Sequence, residues 1–216
     1  DGIKYYPWRF NNKIEALIGL FKAVINESPD VVWAEASTLK AVGGFAVAKL
    51  NGASTVLRMA GLPNYKYKTL LSSVMADENI AITHAAGQTL YSDYKVIPAG
   101  TDFPDNIEDA DYSDNNLVTV GYLARFDAVK GTDRLVNLAK EILPSNEVEF
   151  RVAGWGEYQV EEMSVLENKY DNFHVVGKLP HKEVFSFLSE LDVLFFPSRK
   201  EGMGRAVIES LYTGTP

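Results

Sequence analysis

Short apolar runs alternate with helix-length segments along nearly the whole chain, and this rhythm limits the fold more than any other feature. Val31-Val32-Trp33-Ala34 reads as a buried strand, and further strands are expected over residues 54–59, 79–83 and 95–98. Between them lie helical segments. Over residues 12–25, Ile14, Leu17, Ile18, Phe21, Val24 and Ile25 recur at helical spacing. Asn12 fits an N-cap with Glu15 three residues on, and Ser28-Pro29-Asp30 ends the segment. A second helix is expected over residues 39–50. The alternation restarts later, with strands over 117–123, 148–153, 173–176 and 193–196 and helices over 132–143, 159–169, 181–191 and 205–212. Strands alternating with helices argue an α/β fold with parallel sheets covered on both faces. No short repeat is present, and the two halves share only the βα rhythm.

Between the halves, residues 105–116 are acidic, turn-rich and without periodicity, which reads as a linker. The expected domains are therefore 1–104 and 117–216. Charge follows the same division: residues 1–100 carry 10 Lys and Arg against 8 Asp and Glu, whereas residues 101–216 carry 11 against 21. An acidic chain with a net charge of −8 does not suit a general nucleic-acid binder. Cysteine is absent, which excludes disulfides and thiolate metal sites and fits a cytoplasmic protein. No apolar run reaches the length of a membrane helix.

The stretch from Val193 to Pro216 carries the chemistry. Val193-Leu194-Phe195-Phe196 stops at Pro197, glycines Gly202 and Gly204 follow in a loop, and a helix from Arg205 is closed by Gly214 and Pro216. A strand, a glycine loop and a helix N-terminus make an anion site, because free amides and the helix dipole face the same point. Glu201 and Glu209 bracket it. Carboxylates repel phosphate, so they suit hydroxyls attached to it, as in a ribose and a sugar. On spacing alone, a loop acid and a solvated helix are the simpler account of the two glutamates, since a pair eight apart is common by chance. Arg125 and Lys130 lie just beyond the strand 117–123, where open α/β sheets bind ligands. They could clamp a diphosphate, arginine as a fork and lysine as a point charge, or belong to a solvated basic loop.

Residues 197–216 closely resemble the glutamate-x7-glutamate motif of family-4 retaining glycosyltransferases, enzymes of the GT-B fold, including Pro197-Ser198 and Gly214-Thr215-Pro216. The Arg-x4-Lys-Gly pattern of Arg125, Lys130 and Gly131 also recurs in that family. The resemblance is strong over residues 117–216 and weak over 31–104. It implies two Rossmann-like domains with parallel sheets, the acceptor-side domain first and the nucleotide-sugar domain second. The implied reaction moves a sugar from a nucleoside-diphosphate donor to a glycan or lipid-linked acceptor with retention. By resemblance, Arg125 and Lys130 hold the diphosphate and Glu209 takes the ribose hydroxyls. Glu201, with the amides of Gly202, Met203 and Gly204, holds the sugar and phosphate. Gly154 belongs to the family's Gly-Asp-Gly turn, here with Trp155 in place of the acid, and Leu179 lines the pocket for the base. The glycine that usually precedes the arginine is Ala124, and Glu35 stands where a histidine often closes an earlier strand.

No metal cofactor is expected. Asp109-Ala110-Asp111 imitates the metal motif of another transferase class, but it lies in the linker rather than at a strand end. The chain starts without a methionine and stops where the resemblance implies another strand, so both domains read as incomplete. A non-catalytic nucleotide-sugar-binding fragment is the alternative to a working transferase. His84, His174 and His181 have no metal spacing and read as structural, with His84 the one facing the presumed cleft. Lys66-Tyr67-Lys68 mixes basic and aromatic residues. A solvated face is the simpler account, with weak peripheral contact at the inner face of a membrane as the other.

Overall fold

The computed structural model describes residues 13–63, 65–105 and 117–216. It divides into two compact units, Asp1–Ala99 and Gly100–Pro216, so the division falls before the expected boundary at residue 104. Asn12 and most of the acidic stretch, with Asp109 and Asp111, lie outside the described residues.

The first unit runs α1 (Lys13–Glu27), β1 (Val31–Glu35), α2 (Leu39–Leu50), β2 (Ser54–Met59), α3 (Lys66–Met75), β3 (Glu78–Ala81), α4 (His84–Gly87) and β4 (Lys95–Val96). Its strands are parallel in the order β1-β2-β3-β4. Helix α2 starts at Thr38, whose hydroxyl accepts the Ala41 amide at 3.1 Å. Phe45 on α2 packs on Leu57, Met59 and Ala81 of the sheet, and Val24 on α1 joins Val47, Ala48 and Ala53. Two expectations need correction. Strand β1 is buried on one side only: among the described residues it ends the sheet, with Val31 and Trp33 54% and 50% exposed while Val32 and Ala34 pack inward. Alternate side chains of a strand point to opposite faces, so one packed face buries only every second residue. Helix α3 is an addition to the expected elements: Met75 packs on the core, but Tyr67, Leu70, Leu71 and Val74 are exposed and Thr69, Ser72 and Ser73 are buried in their place.

The second unit runs β5 (Val118–Arg125), α5 (Thr132–Ile142), a 3-10 turn (Leu143–Ser145), β6 (Val148–Trp155), α6 (Val160–Lys169), β7 (Phe173–Gly177), α7 (His181–Ser189), β8 (Val193–Leu194) and α8 (Arg205–Tyr212). These strands are parallel too, in the order β7-β6-β5-β8. Leu135, Val136 and Ala139 of α5 and Met163 and Leu166 of α6 cover Tyr122, Phe150 and Val152. On the other face Val184, Phe187 and Leu188 of α7 cover Ala153 and Leu194. Phe103 packs 4.3 Å from the ring of Tyr212, whose hydroxyl donates to the Pro104 carbonyl at 2.7 Å. These contacts explain why residues just after Ala99 belong to the second unit.

The halves share more than a rhythm. Asp77, just before β3, accepts the Thr55 amide at 2.8 Å and the Thr55 hydroxyl at 2.9 Å. Asp192, just before β8, accepts the Thr119 amide at 2.7 Å. In each case the threonine is the second residue of the neighbouring strand and its carbonyl receives the aspartate's own amide. Both fastenings sit at the amino ends of the strands, away from the ends that receive ligands in such sheets. Hydrogen bonding from Lys49 and Thr55 holds the Asp77 carboxyl down at about 2.

Candidate functional site

The carboxyl end of β5 delivers Arg125 into a tight loop organised by Asp127. One Asp127 oxygen accepts the Lys130 amide at 2.8 Å and the other accepts Arg125 Nε at 2.5 Å. Desolvation, the largest single influence, pushes that carboxyl up, but the Lys130 amide and the Arg125 guanidinium together hold it below the usual range. Beneath the loop, the Thr132 hydroxyl donates to the Asp127 carbonyl at 3.1 Å and lies 3.0 Å from the Tyr122 hydroxyl. Burial pushes the Tyr122 phenol up to about 12, so it stays a neutral prop.

This loop is locked to the one after β8. Gly131 has φ +76°, and a Cβ there would lie 2.4 Å from the Pro197 carbonyl oxygen. Only glycine permits both the conformation and the approach. Arg199 then grips Asp133 through two bonds of 2.7 and 2.6 Å, and its amide donates to the Val129 carbonyl at 2.7 Å. The interlock sets Glu201 against Lys130. Lys130 Nζ lies 2.5 Å from Glu201 Oε1, and Ser198 Oγ lies 2.7 Å from the same oxygen.

Arg125, Lys130, Glu201, Glu209 and Leu179 line one cleft of 360 Å³ together with Trp155, His181, Phe196 and Arg205. Glu209 sits more than a turn into α8 and is 5% exposed. Its Oε1 lies 3.5 Å from Arg205 NH2 and 3.7 Å from His181 Nε2. A buried carboxylate whose Arg205 and His181 neighbours both lie on one oxygen can take hydroxyl donors on the other. Gly202, Met203 and Gly204 are half-buried and lie outside this lining; Gly204, at φ +45°, precedes the first turn of α8. Gly154 is also outside it. Its place is explained by close approach, since a Cβ there would come 1.9 Å from the Ala124 carbonyl oxygen where β5 and β6 pair.

Sequence reasoning missed three members of this site. Trp155 does not merely make a turn: β6 continues through it, paired with Arg125, and leaves its ring 53% exposed in the cleft with Lys178 Nζ 5.6 Å from the ring. His181, read as structural, opens α7 and lies beside Glu209. Asp127 stands between the two expected cations and pairs with the first. The other histidines are elsewhere: His174 lies 3.9 Å from Glu149, and His84 begins α4 in the first unit. Glu35 pairs with Arg58 at 2.9 Å in that unit. Among the described residues no group of three His, Cys, Asp or Glu is placed to hold a metal ion.

The family model described as glycosyl transferases group 1 matches residues 105–216. The 2-deoxystreptamine N-acetyl-D-glucosaminyltransferase of Niallia circulans is 31% identical over 101 residues, covering 45% of this chain and 26% of that protein. The matched stretch thus spans about a quarter of the length of such curated relatives. Sucrose-phosphate synthase of Thermosynechococcus elongatus superposes with a TM-score of 0.72 at 20% identity, covering 98% of this chain and 62% of that one. HepE of Anabaena, solved in complex with UDP, superposes with a TM-score of 0.70 at 16% identity, covering 94% and 62%. The expected GT-B-like α/β architecture with parallel sheets is the architecture observed.

Proposed function

The chain belongs to the glycosyl transferases group 1 family, and from that premise we propose that it takes a nucleoside-diphosphate sugar and passes the sugar to an acceptor with retention at the anomeric carbon. The observation that carries this reading is the meeting of Arg125, Lys130, Glu201 and Glu209 in one cleft beyond parallel strand ends. The UDP complex of HepE and the sugar transfer named for the Niallia relative support the same class of donor.

At rest both cations are paired, Arg125 with Asp127 and Lys130 with Glu201. An entering diphosphate offers each a more highly charged partner. As Lys130 turns to phosphate, Glu201 is released to accept hydroxyls of the donor sugar. Glu209 takes the ribose hydroxyls, and Leu179 with the Trp155 face receives the base. The amides opening α8 and the two cations then stabilise the charge that develops on the departing diphosphate. Those groups supply positive potential without a divalent metal, and acceptors of glycan or lipid-linked type fit the family.

The test is transfer from labelled UDP-, GDP- and ADP-sugars, with product configuration read by NMR. Transfer that keeps the donor configuration is expected. An inverted product rejects retention, and failure to bind any nucleoside diphosphate rejects the site.

A further inference from the structure

We propose that the outward face of α3 docks the first unit onto an anionic lipid surface. The helix is inside out. Thr69, Ser72 and Ser73 are fully buried. Their hydroxyls donate to backbone carbonyls of the turn before: Thr69 to Tyr65 at 3.0 Å, Ser72 to Lys68 at 2.7 Å and Ser73 to Leu70 at 3.2 Å. With their donors satisfied locally, these residues pack as small side chains.

The opposite face holds Tyr67, Leu70, Leu71 and Val74, which are 55%, 41%, 44% and 61% exposed. At about 3.6 residues per turn, they fall within an arc of roughly 100°. Lys66 and Lys68 flank that stripe, one on each side, and α3 contains no acidic residue. Tyr65, 55% exposed, lies under Lys68 Nζ at 3.9 Å from its ring. Tyr91, 50% exposed, sits near the other end, where its amide donates to Ser73 Oγ at 3.2 Å.

An apolar stripe edged by lysines and tyrosines matches the layered chemistry of a lipid surface. Leucine and valine enter the acyl boundary, tyrosine rings sit at headgroup level, and ammonium groups meet lipid phosphate. The charge complements that occupant against the run of the chain, whose net charge is −8. A second copy fits less well, because four half-exposed side chains offer far less than the roughly 800 Å² per partner of a stable interface. At ten residues α3 is too short to cross a membrane, so its own contact is peripheral. The inference does not depend on sugar transfer.

Flotation of the full chain with phosphatidylglycerol–phosphatidylcholine vesicles, beside pure phosphatidylcholine vesicles, tests it. Binding to the anionic vesicles alone is expected, weakened by salt. Lys66→Gln with Lys68→Gln should weaken it roughly thirty-fold, given the attraction of each lysine to such a surface. Leu71→Gln with Val74→Gln should abolish it, with circular dichroism and UDP affinity unchanged. Three results would overturn the proposal: no flotation, equal flotation with both lipids, or variants that bind like the parent. So would lipid-free self-association that Leu71→Gln with Val74→Gln removes, which would assign the face to a second copy.

Discussion

Lys130 Nζ and Glu201 Oε1 lie 2.5 Å apart although 71 residues separate them in sequence, and each side chain is about a quarter exposed. The pair ties the loop after β5 to the loop after β8, and in the proposed reaction it holds the cation that turns to phosphate against the acid it leaves when donor arrives.

Removing that acid's charge should therefore favour small anions. Glu201→Gln is expected to bind inorganic pyrophosphate several-fold more tightly than the parent while transferring sugar more slowly, as measured by calorimetry and donor turnover. Arg125→Ala and Lys130→Ala should each weaken nucleoside-diphosphate binding by about one to two powers of ten, since a charge-assisted hydrogen bond contributes roughly 1.5–3 kcal/mol. Parent-like affinity in both variants would remove the clamp.

Glu209→Ala should cost more donor affinity than Glu209→Gln, because an amide oxygen still accepts a ribose hydroxyl. Trp155→Ala should weaken UDP binding and remove the fluorescence change on its addition, yet leave pyrophosphate binding alone. Equal losses for UDP and pyrophosphate would mean that Trp155 supports the fold of the cleft and not the base.

Transfer should survive exhaustive EDTA treatment and gain nothing from magnesium or manganese. Activity lost with the chelator and restored by metal would contradict a leaving group stabilised by Arg125, Lys130 and the start of α8.

The Asp77 fastening should show in acid. Its folded value is depressed from 3.8 to about 2, so its contribution is complete above about 4 and lost as pH falls toward about 2. Asp77→Ala should destabilise the first unit at neutral pH by about 1–2 kcal/mol through the unpaired Thr55 amide and hydroxyl. That deficit should shrink between pH 4 and pH 2 in urea melts; a constant deficit would contradict the linkage.

The parts of this molecule legible in sequence are those with local signals. Periodicity located α5, α6 and α7, and Gly131, Gly204 and Gly214 marked loops that need their conformations. Helix α3 carries the helical signal too, with Tyr67, Leu70, Leu71 and Val74 at i, i+3, i+4 and i+7, but periodicity assigns that face to the core, whereas Thr69, Ser72 and Ser73 are the residues buried. His181 was invisible for another reason: its neighbour Glu209 arrives from a different helix, and no spacing announces that. Trp155 replaced a familiar acid, so the pattern gave no role, while the β5–β6 register that aims it at the cleft exists only in the folded sheet.

The interlock of the two loops has a bearing on how the donor preference of such a protein can drift. Gly131 against Pro197, Arg199 on Asp133 and the Val129 carbonyl under the Arg199 amide make the loops after β5 and β8 a single mechanical part. An insertion in either one has to be matched by a second change in the other, a rare coincidence in a lineage. The end of β6, which presents Trp155, is held to β5 and the loop after it at Gly154 and Gly156, where a Cβ would lie 1.9 and 2.5 Å from the Ala124 and Phe126 carbonyl oxygens, whereas Gly177, at the end of β7 before Leu179, has open space around it. Under the proposed roles, the preferred base should shift most readily through the segment after β7, one substitution at a time, while the loops after β5 and β8 change only in pairs.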